Sequence, residues 1–572
     1  MRRLNTLLII ASCTAVLWLL RPGAMRTAGT EGEVLPAPSE PGILVLDLTD
    51  DIPLSEIEEL EQILGTDLEY SSDVSQDEAL VRGEVADLAA AVALLENDPR
   101  VEVAEPVVEM QALGAFGYPN DPMWDKQWNM RLVDAPTGWR AGGGSGVKVA
   151  VIDTGVSPVE DLAGVRMTEG KSFVPFVRTP LDDNGHGSHV AGTIAQVTNN
   201  GLGVAGMAPN VTIMPYKALT KAGFGSSDWI AAAVDHAVDQ GADVINLSLG
   251  GGNSKVLRKA VQEATAKGVI VVAAAGNSGR EGVGCPANVD EVIGVSAVGP
   301  DDKKAWYSSW GDGVEIAGPG GDTRKSDGGV LQDTIDGKGG HAYRALQGTS
   351  MATPHVAGAA AVLLGMGLDD TAVINTLYAS TEDKGEEGFD KVYGHGRLDV
   401  GSAVTRTLIR RNGLQFAVGL AMALALASLG RIKTRRAGPM VVASAVTAGG
   451  LFLLPLLPLP PNEVVNLLSR DLLTWPAVLI GPDWVHFPLW ASALLPCLVA
   501  FILGPSRSLG PWVAGLCIGF GTSLLYGAAS GGIDPWGLGL GLDKLWLSAN
   551  GTACLLAAMA VVGLQKLNKE QA

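Results

Sequence analysis

Three polar residues in the middle of this 572-residue chain have the types and the order that nucleophilic catalysis needs. Asp153 ends the apolar run KVAVID, His186 lies in DDNGHGSHVAGT, and Ser350 lies in GTSMATPHVAGAAAVLL, where a helix is predicted to begin. A serine hydroxyl is a weak nucleophile until a neutral imidazole accepts its proton, and a carboxylate can hold that imidazole in the required tautomer. Each residue by itself has an ordinary structural explanation: Asp153 as a turn residue, His186 as an interior histidine and Ser350 as a helix cap. Together they predict Ser350 as nucleophile, His186 as general base and Asp153 as the orienting acid.

The elements that must position these residues alternate between apolar strands and helices. Five continuous apolar runs are typical of buried parallel strands: 147–152, 212–217, 244–249, 269–275 and 292–298. Helical patterns such as 229–240 and 255–267 lie between them. This alternation predicts an open, doubly wound α/β sheet with its chemistry at the carboxyl ends of the strands.

The three motifs, in this order, resemble those of the subtilisin-like serine proteases over about residues 119–405. The resemblance implies a subtilisin-like fold and hydrolysis of peptide bonds, a reaction that needs no cofactor. It also implies that Asn277, in VIVVAAAGNSG, donates a hydrogen bond to the oxyanion together with the Ser350 amide. By itself, an Asn before Ser and Gly is commonly a turn residue.

The same resemblance implies where a protein or peptide substrate would bind. The segment INLSLGG would form one wall of the primary specificity pocket and the segment AAAG the opposite wall. The segment KAGFGSS would pair with the substrate as an added strand, and the glycine before CP would lie at the pocket floor. The implied substrate-binding residues are Ser248, Leu249, Gly250, Gly225, Ala275, Gly276 and Gly284.

A structural calcium ion is a further implication of the resemblance. Asp121 in YPNDPMW, Asp161 in VEDL and Asn200 in VTNNGLGVAGMAP match positions that supply oxygen ligands in relatives. Hard oxygen ligands from separate loops are what calcium prefers. Ordinary turn and capping roles are the alternative interpretation of all three.

The negative charge of the chain is concentrated near its beginning. Residues 31–109 carry 22 acidic and two basic side chains, while the whole chain has a net charge of −20. This balance disfavours nucleic acid as a partner. Strand and helix patterns here predict a small α+β unit in βαββαβ order. By resemblance, residues 31–112 are a ferredoxin-like inhibitory propeptide, removed by self-cleavage within 109–116; the alternative is an acidic, solvated domain.

Both ends of the chain carry apolar segments. Residues 1–24 have two arginines and then an apolar run, as in a signal peptide or signal anchor. Residues 413–566 predict an all-α bundle of about five transmembrane helices, at 414–430, 438–459, 484–504, 509–529 and 545–564. Basic residues flanking membrane spans prefer the cytoplasmic side. Here they follow the first span, lie between the third and fourth, and follow the fifth, which favours a central domain outside the cytoplasm. Three arginines before the first span oppose this orientation.

The sequence therefore predicts a membrane-anchored, extracytoplasmic serine endopeptidase made as a self-processed precursor. Its expected partners are a protein or peptide substrate, its own propeptide and the lipid bilayer. Two alternatives stay open: a membrane scaffold whose protease-like domain no longer turns over, and a transporter with a regulatory protease attached. The near absence of ionisable residues within the spans weighs against transport.

Overall fold

The computed structural model describes most of the chain, in two compact units, Met1–Gly114 and Ala115–Ala572. The described residues are 42–49, 52–70, 79–95, 98–107, 119–430, 432, 434–457, 463–479, 486–530, 533, 535 and 541–570. The predicted leader at 1–24 and the predicted cleavage segment at 109–116 lie outside them.

The first unit is a small antiparallel sheet with two helices. Its elements are β1 (Ile43–Leu48), α1 (Leu54–Leu64), β2 (Glu69–Tyr70), β3 (Leu80–Glu84), α2 (Leu88–Leu95) and β4 (Val101–Pro106). The sheet order is β2-β3-β1-β4 with antiparallel neighbours. Alternate residues of β1 are buried, so Leu44, Leu46 and Leu48 form a core with the helices. This confirms the predicted α+β unit in βαββαβ order.

The central domain is built on an eight-stranded sheet in which all neighbours are parallel. Its strands are β5 (Lys148–Asp153), β6 (Arg166–Met167), β7 (Lys171–Ser172), β8 (Thr212–Lys217), β9 (Val244–Leu247), β10 (Ile270–Ala274), β11 (Ile293–Val298) and β12 (Ile316–Pro319). They lie in the order β12-β11-β10-β9-β5-β8-β6, and β7 also pairs with β8. Five of them coincide with the five apolar runs, so the predicted parallel sheet is confirmed.

Helices cover both faces of this sheet. They are α3 (Trp128–Leu132), α4 (Ala135–Arg140), α5 (His186–Ala195), α6 (Ser227–Asp239), α7 (Lys255–Ala266), α8 (Thr349–Gly365), α9 (Asp370–Tyr378) and α10 (Val400–Thr407). Along β5, Val149 and Val151 enter one buried cluster with α5 and α8, while Ala150 and Ile152 enter another with α6 and α7. Continuous apolar strands result because both faces are covered. A separate hairpin of β13 (Val330–Ile335) and β14 (His341–Leu346) packs on α5.

The C-terminal part of the chain is helical. Its elements are α11 (Leu414–Leu429), α12 (Thr434–Gly449), α13 (Glu463–Leu468), α14 (Trp475–Leu479), α15 (Leu494–Leu503), α16 (Gly510–Ser530) and α17 (Leu542–Glu570). Within the described residues, three helices are long and apolar enough to cross a membrane: Val400–Leu429, which joins α10 to α11, Gly510–Ser530 and Leu542–Leu564.

The second and third predicted spans differ from the observed helices. At 438–459 the helix α12 ends at Gly449, because Gly450 has a φ of +65° and a proline-rich stretch follows. Among the described residues of 484–504, only the ten residues of α15 form an apolar helix. Three of the five predicted positions therefore carry helices of spanning length.

Two glycines let α16 lie directly against α12. A Cβ added at Gly515 would collide with the carbonyl of Met440, and one added at Gly519 would lie 2.5 Å from the carbonyl of Ser444. Small residues four positions apart allow such close approach of helix backbones. The close contact between these two helices therefore depends on glycine at both positions.

Replacing Gly519 with alanine should therefore destabilise the bundle. The added methyl group would force α12 and α16 apart, which costs about 1–3 kcal/mol of unfolding free energy. Thermal unfolding of the purified protein in detergent would measure this. Gly563→Ala in α17 is the matched control, because nothing lies within 4 Å of its added Cβ. Equal unfolding temperatures for the two variants would contradict the packing argument.

Candidate active site

A carboxylate–imidazole pair forms where β5 ends and α5 begins. Asp153 is the last residue of β5 and is fully buried, and His186 is the first residue of α5. Their side chains are joined by a hydrogen bond of 2.7 Å between His186 Nδ1 and Asp153 Oδ1. The Thr154 amide donates to the same oxygen at 2.7 Å. With Nδ1 engaged, His186 Nε2 is the ring nitrogen left to exchange a proton.

The charges around His186 favour its protonated form. Burial disfavours the imidazolium and lowers the pKa, but the charge and hydrogen bond of Asp153 outweigh it, and Asp182 adds to their effect. The pKa of His186 is consequently raised above its usual value. A base in this environment is stabilised after it accepts a proton, as general-base catalysis requires.

Ser350 lies in the first turn of α8 and faces the same cavity as His186. Its hydroxyl donates to the carbonyl of Ser248 at 3.1 Å, and the Ser248 hydroxyl donates to the carbonyl of Ser350 at 2.8 Å. Gly348 precedes the helix with a φ of +152°, which a side chain would disfavour. A rotation about χ1 would move the Ser350 hydroxyl from the Ser248 carbonyl toward the imidazole.

Asn277 is held beside this helix by its side-chain oxygen. Asn277 Oδ1 accepts from the backbone amide of Thr349 at 2.9 Å and from the Thr349 hydroxyl at 3.1 Å. Because the oxygen is engaged, the amide nitrogen keeps its protons for another acceptor. The Ser350 amide, in the first helical turn, is a second donor without an intrahelical partner. Two donors therefore lie close to the serine hydroxyl.

A cavity of about 430 Å³ opens beside His186 and Ser350. Four of the seven predicted substrate-binding residues line it: Ser248, Leu249, Gly250 and Gly225. The other three, Ala275, Gly276 and Gly284, do not line this cavity. They adjoin its wall, since the Gly284 amide donates to the carbonyl of Ala275 and Cys285 pairs with Gly251. Phe224, 76% exposed, stands at the rim.

Asp182 is a positioning residue that the sequence analysis missed. Its buried carboxylate accepts from the Thr154 hydroxyl at 2.8 Å and from the backbone amides of Gly185 and Ser188, each at 2.9 Å. These contacts tie the end of β5 to the start of α5, on either side of His186. An acidic residue a few positions before a helix start was the available signal.

Lys217 is a second residue that sequence reasoning did not single out. It ends β8 and is fully buried, yet its ammonium group donates to the carbonyl of Thr154 and to Asp183 Oδ1, each at 2.6 Å. A buried cation is costly unless it is paired in this way. The pair fastens β8 to the loop that carries His186.

His189 anchors the hairpin. Its Nε2 lies 3.0 Å from the carbonyl oxygens of Val330 and Arg344. Burial lowers its pKa to about 4, so the ring is neutral and donates from Nε2. The second histidine of the HGSH motif thus joins α5 to β13 and β14.

The three residues predicted to bind calcium are adjacent. The backbone amides of Asn199 and Asn200 donate to the Asp121 carboxylate at 2.9 and 3.1 Å, and Asn200 Nδ2 donates to Asp161 at 2.9 Å. Burial raises the pKa of Asp121 to about 6 and also raises that of Asp161. Two buried carboxylates and an amide fit a hard divalent cation. Among the described residues no cluster of three His, Cys, Asp or Glu could hold a metal, so such an ion would also need Asn200 and backbone carbonyls.

Replacing Asp182 with asparagine should lower the pKa of His186, because one of the charges that favours the imidazolium is removed. The acid limb of kcat/KM against pH, which reports this base, would then move to lower pH. The new amide would also face the Ser188 N–H, and this mismatch costs about 1–3 kcal/mol of unfolding free energy. Asp239→Asn, an exposed change of the same charge, is the control. An acid limb that stays in place would contradict this role.

Comparison with known proteins identifies the family to which the chain belongs. Residues 144–396 match the model of the subtilase family, Peptidase_S8. The chain is 40% identical to thermitase of Thermoactinomyces vulgaris over 290 residues, which cover 50% of this chain and 99% of that protein. It is 44% identical to subtilisin Savinase of Lederbergia lenta over 238 residues, covering 41% and 83% of the two chains. A thermophilic serine proteinase of Bacillus sp. (strain AK1) is 39% identical over 325 residues, covering 56% and 77%. On its sequence and its fold, the chain belongs to the subtilase family of serine proteases.

Proposed function

We propose that this protein is a membrane-anchored endopeptidase that cleaves peptide bonds outside the cytoplasm with Ser350, His186 and Asp153. The observation that carries the proposal is the 2.7 Å hydrogen bond from buried Asp153 to His186, whose imidazole lines the same cavity as Ser350. Asn277, oriented by its hydrogen bond with Thr349, supplies a side-chain amide as donor to the oxyanion.

Each group has a defined role in the reaction. Ser350 Oγ attacks the carbonyl carbon of the scissile bond while His186 Nε2 takes its proton. The oxyanion accepts hydrogen bonds from Asn277 Nδ2 and the Ser350 amide, and one such donor lowers the barrier by about 3–4 kcal/mol. His186 then protonates the leaving amine, and a water molecule, activated by the same histidine, releases the acyl group. Asp153 stabilises the imidazolium in both halves of the reaction.

The cavity supports an uncharged side chain next to the scissile bond. Among the described residues that line it, there is no Asp, Glu, Lys or Arg; apart from His186, the lining is neutral polar, glycine and apolar residues. A charged substrate side chain would lose its hydration here without gaining a partner. The exposed segment around Gly225 is available to hold the substrate backbone in an extended form.

The N-terminal unit is proposed to be the inhibitory propeptide. Its α+β order and its concentrated negative charge, 22 acidic against two basic residues in 31–109, support a folded, separable unit. Its removal would leave a nearly neutral enzyme.

The C-terminal helices are proposed to anchor the enzyme in a bilayer. Three are long and apolar enough to cross it, and they expose large apolar side chains such as Leu424, Leu429 and Leu556. Arg435 and Arg436, which follow the first span, favour the cytoplasm for that end and the exterior for the catalytic domain.

A structural calcium ion is part of the proposal. Asp121, Asp161 and Asn200 would hold it, with backbone carbonyls completing the set. When bound, calcium would balance two buried carboxylates and stabilise the folded domain by mass action, without taking part in the chemistry.

A fluorophosphonate probe should label the wild-type protein at Ser350, because only an activated serine attacks such a reagent. Ser350→Ala should abolish labelling. Ser227→Ala, which removes another hydroxyl from the same cavity, should retain it. Mass spectrometry of the wild type and the two variants measures whether the probe is attached, and at which residue. An unlabelled but folded wild type would favour the non-catalytic scaffold.

Self-processing should give the wild-type protein a new N-terminus within 109–116, whereas Ser350→Ala should keep the acidic unit. N-terminal sequencing and intact mass of the two purified proteins measure this. An identical N-terminus in both would show that cleavage does not depend on Ser350.

A further inference from the structure

A second cavity lies where the catalytic domain meets the C-terminal helices. This junction cavity, of about 290 Å³, is lined by the loop after α8, by α9, by the helix that joins α10 to α11, and by α16. It is remote in the fold from the carboxyl ends of the strands that carry Asp153 and Asn277. The proposed reaction makes no use of it.

Cations dominate the junction cavity. Arg406, Arg410 and Arg411 line it, and Arg470 lies close to Arg411, whose charge together with burial lowers the pKa of Arg470 to about 10. Among the described residues, none of these four arginines has a carboxylate oxygen within 4.0 Å. The four guanidinium groups thus make no close ion pair there, although the Asp471 carboxylate acts on Arg411 and Arg470 at longer range.

Three of these arginines bond only to neutral groups. Arg411 donates to the carbonyls of Met366, at 2.9 Å, and Gly367. Arg470 donates to the carbonyl of Gly365 at 2.7 Å and to the side-chain oxygen of Asn466, and Arg406 donates to the carbonyl of Ala379. Arg410 has no hydrogen-bond partner among the described residues and is exposed. The arginines are held in place, and Arg406 and Arg410 have no carboxylate partner among the described residues.

The two acidic residues of the lining accept hydrogen bonds from groups close to them in the chain. Asp369 caps α9 by accepting from the Ala372 amide at 2.7 Å. Asp471, 3% exposed, accepts from the Leu473 amide and the Thr474 hydroxyl, and burial raises its pKa. The cavity therefore keeps an excess of positive charge.

A buried amide also awaits a partner in this cavity. Gln415, only 3% exposed, lines it, and its Oε1 has no hydrogen-bond partner among the described residues. Buried polar atoms are almost always hydrogen-bonded in folded proteins. Because Oε1 accepts, a hydroxyl group of a lipid headgroup would satisfy it, whereas a phosphate oxygen would not.

The position of the cavity indicates the source of the ligand. Apolar side chains become exposed at the same level of the helix, with Ile409 54% and Leu414 52% exposed, and they continue along α11. Tyr526 of α16 also lines the cavity, and tyrosine is enriched at membrane–water interfaces. If α11 and α16 cross a bilayer as proposed above, the arginines lie at the level of the lipid headgroups.

We propose that the junction cavity binds the headgroup phosphate of an anionic phospholipid, through Arg406, Arg410 and Arg411. Guanidinium groups match phosphate oxygens in geometry and charge, and basic pockets beside membrane helices bind such headgroups. The bound lipid would join the helix of the first span to the loop after α8, and so would hold the catalytic domain against the membrane surface. This inference rests on the proposed membrane anchoring.

Native mass spectrometry of the full chain in detergent, with phosphatidylglycerol or phosphatidylcholine added, tests the proposal. The wild type should retain phosphatidylglycerol in preference to phosphatidylcholine. Arg410→Gln, which removes no described hydrogen bond, should weaken that retention about fivefold, and Arg406→Gln combined with Arg410→Gln about tenfold or more. Arg435→Gln with Arg436→Gln, two arginines in the first turn of α12 just beyond the other end of α11, is the matched control and should retain the lipid.

The outcomes separate the lipid from its alternatives. Equal retention of the two lipids, or equal loss in the matched control, would overturn the proposal. Inorganic phosphate is added as a competitor. If it displaces bound lipid as effectively as excess phosphatidylglycerol does, the cavity is a site for a free anion instead. Flotation with vesicles after alkaline extraction tests anchoring separately: a wild type that fails to float defeats both proposals, while one that floats without lipid preference defeats only this one.

Discussion

The hydrogen bond between Asp153 and His186 is the interaction on which the rest of the site depends. A carboxylate buried without exposure must be compensated, and here the imidazole and the Thr154 amide do so at 2.7 Å each. The pair engages Nδ1 and raises the pKa of the imidazole, which is what the proposed role of His186 as general base requires. Because β5 supplies one partner and α5 the other, the pair exists only if strand and helix meet at this angle and depth.

The parallel sheet meets that condition by bringing several strand ends to one edge. β5 ends at Asp153, β9 leads to Ser248 and β10 leads to Asn277, so the acid, a wall of the substrate cavity and the amide donor arrive together. Helix α8 supplies the serine from the opposite direction. Asp182 and Lys217 then fix the loop between β5 and α5, Asp182 by accepting from neutral donors and Lys217 by an ion pair with Asp183. Apolar packing on both faces keeps this edge rigid.

The same domain is fastened to the C-terminal helices by hydrogen bonds to backbone carbonyls. Arg140 donates to the carbonyl of Pro455 and Arg470 to that of Gly365, so groups from both sides cross the junction. Such bonds need fixed backbone positions, and they give the catalytic domain a defined orientation relative to the apolar helices. Because these hydrogen bonds go to neutral carbonyl groups, they do not neutralise the arginines of the junction cavity. A lipid phosphate would do so.

Local patterns in the chain were enough to predict the parallel sheet, the α+β order of the acidic unit, the apolar C-terminal helices and the residues proposed for catalysis. These properties depend on residue type and short-range spacing, which a linear sequence displays directly. The roles of Asp182 and Lys217, the true ends of α12 and α15, and the junction cavity depend on contacts between residues far apart in the chain. In the sequence, Lys217 is an ordinary lysine at the end of a strand, and nothing indicates that it is buried. Arg411 and Arg470 are far apart in the sequence and become neighbours only when the helices pack. Tertiary structure decided these features because the energies of burial and pairing are set by distances that sequence separation does not reveal.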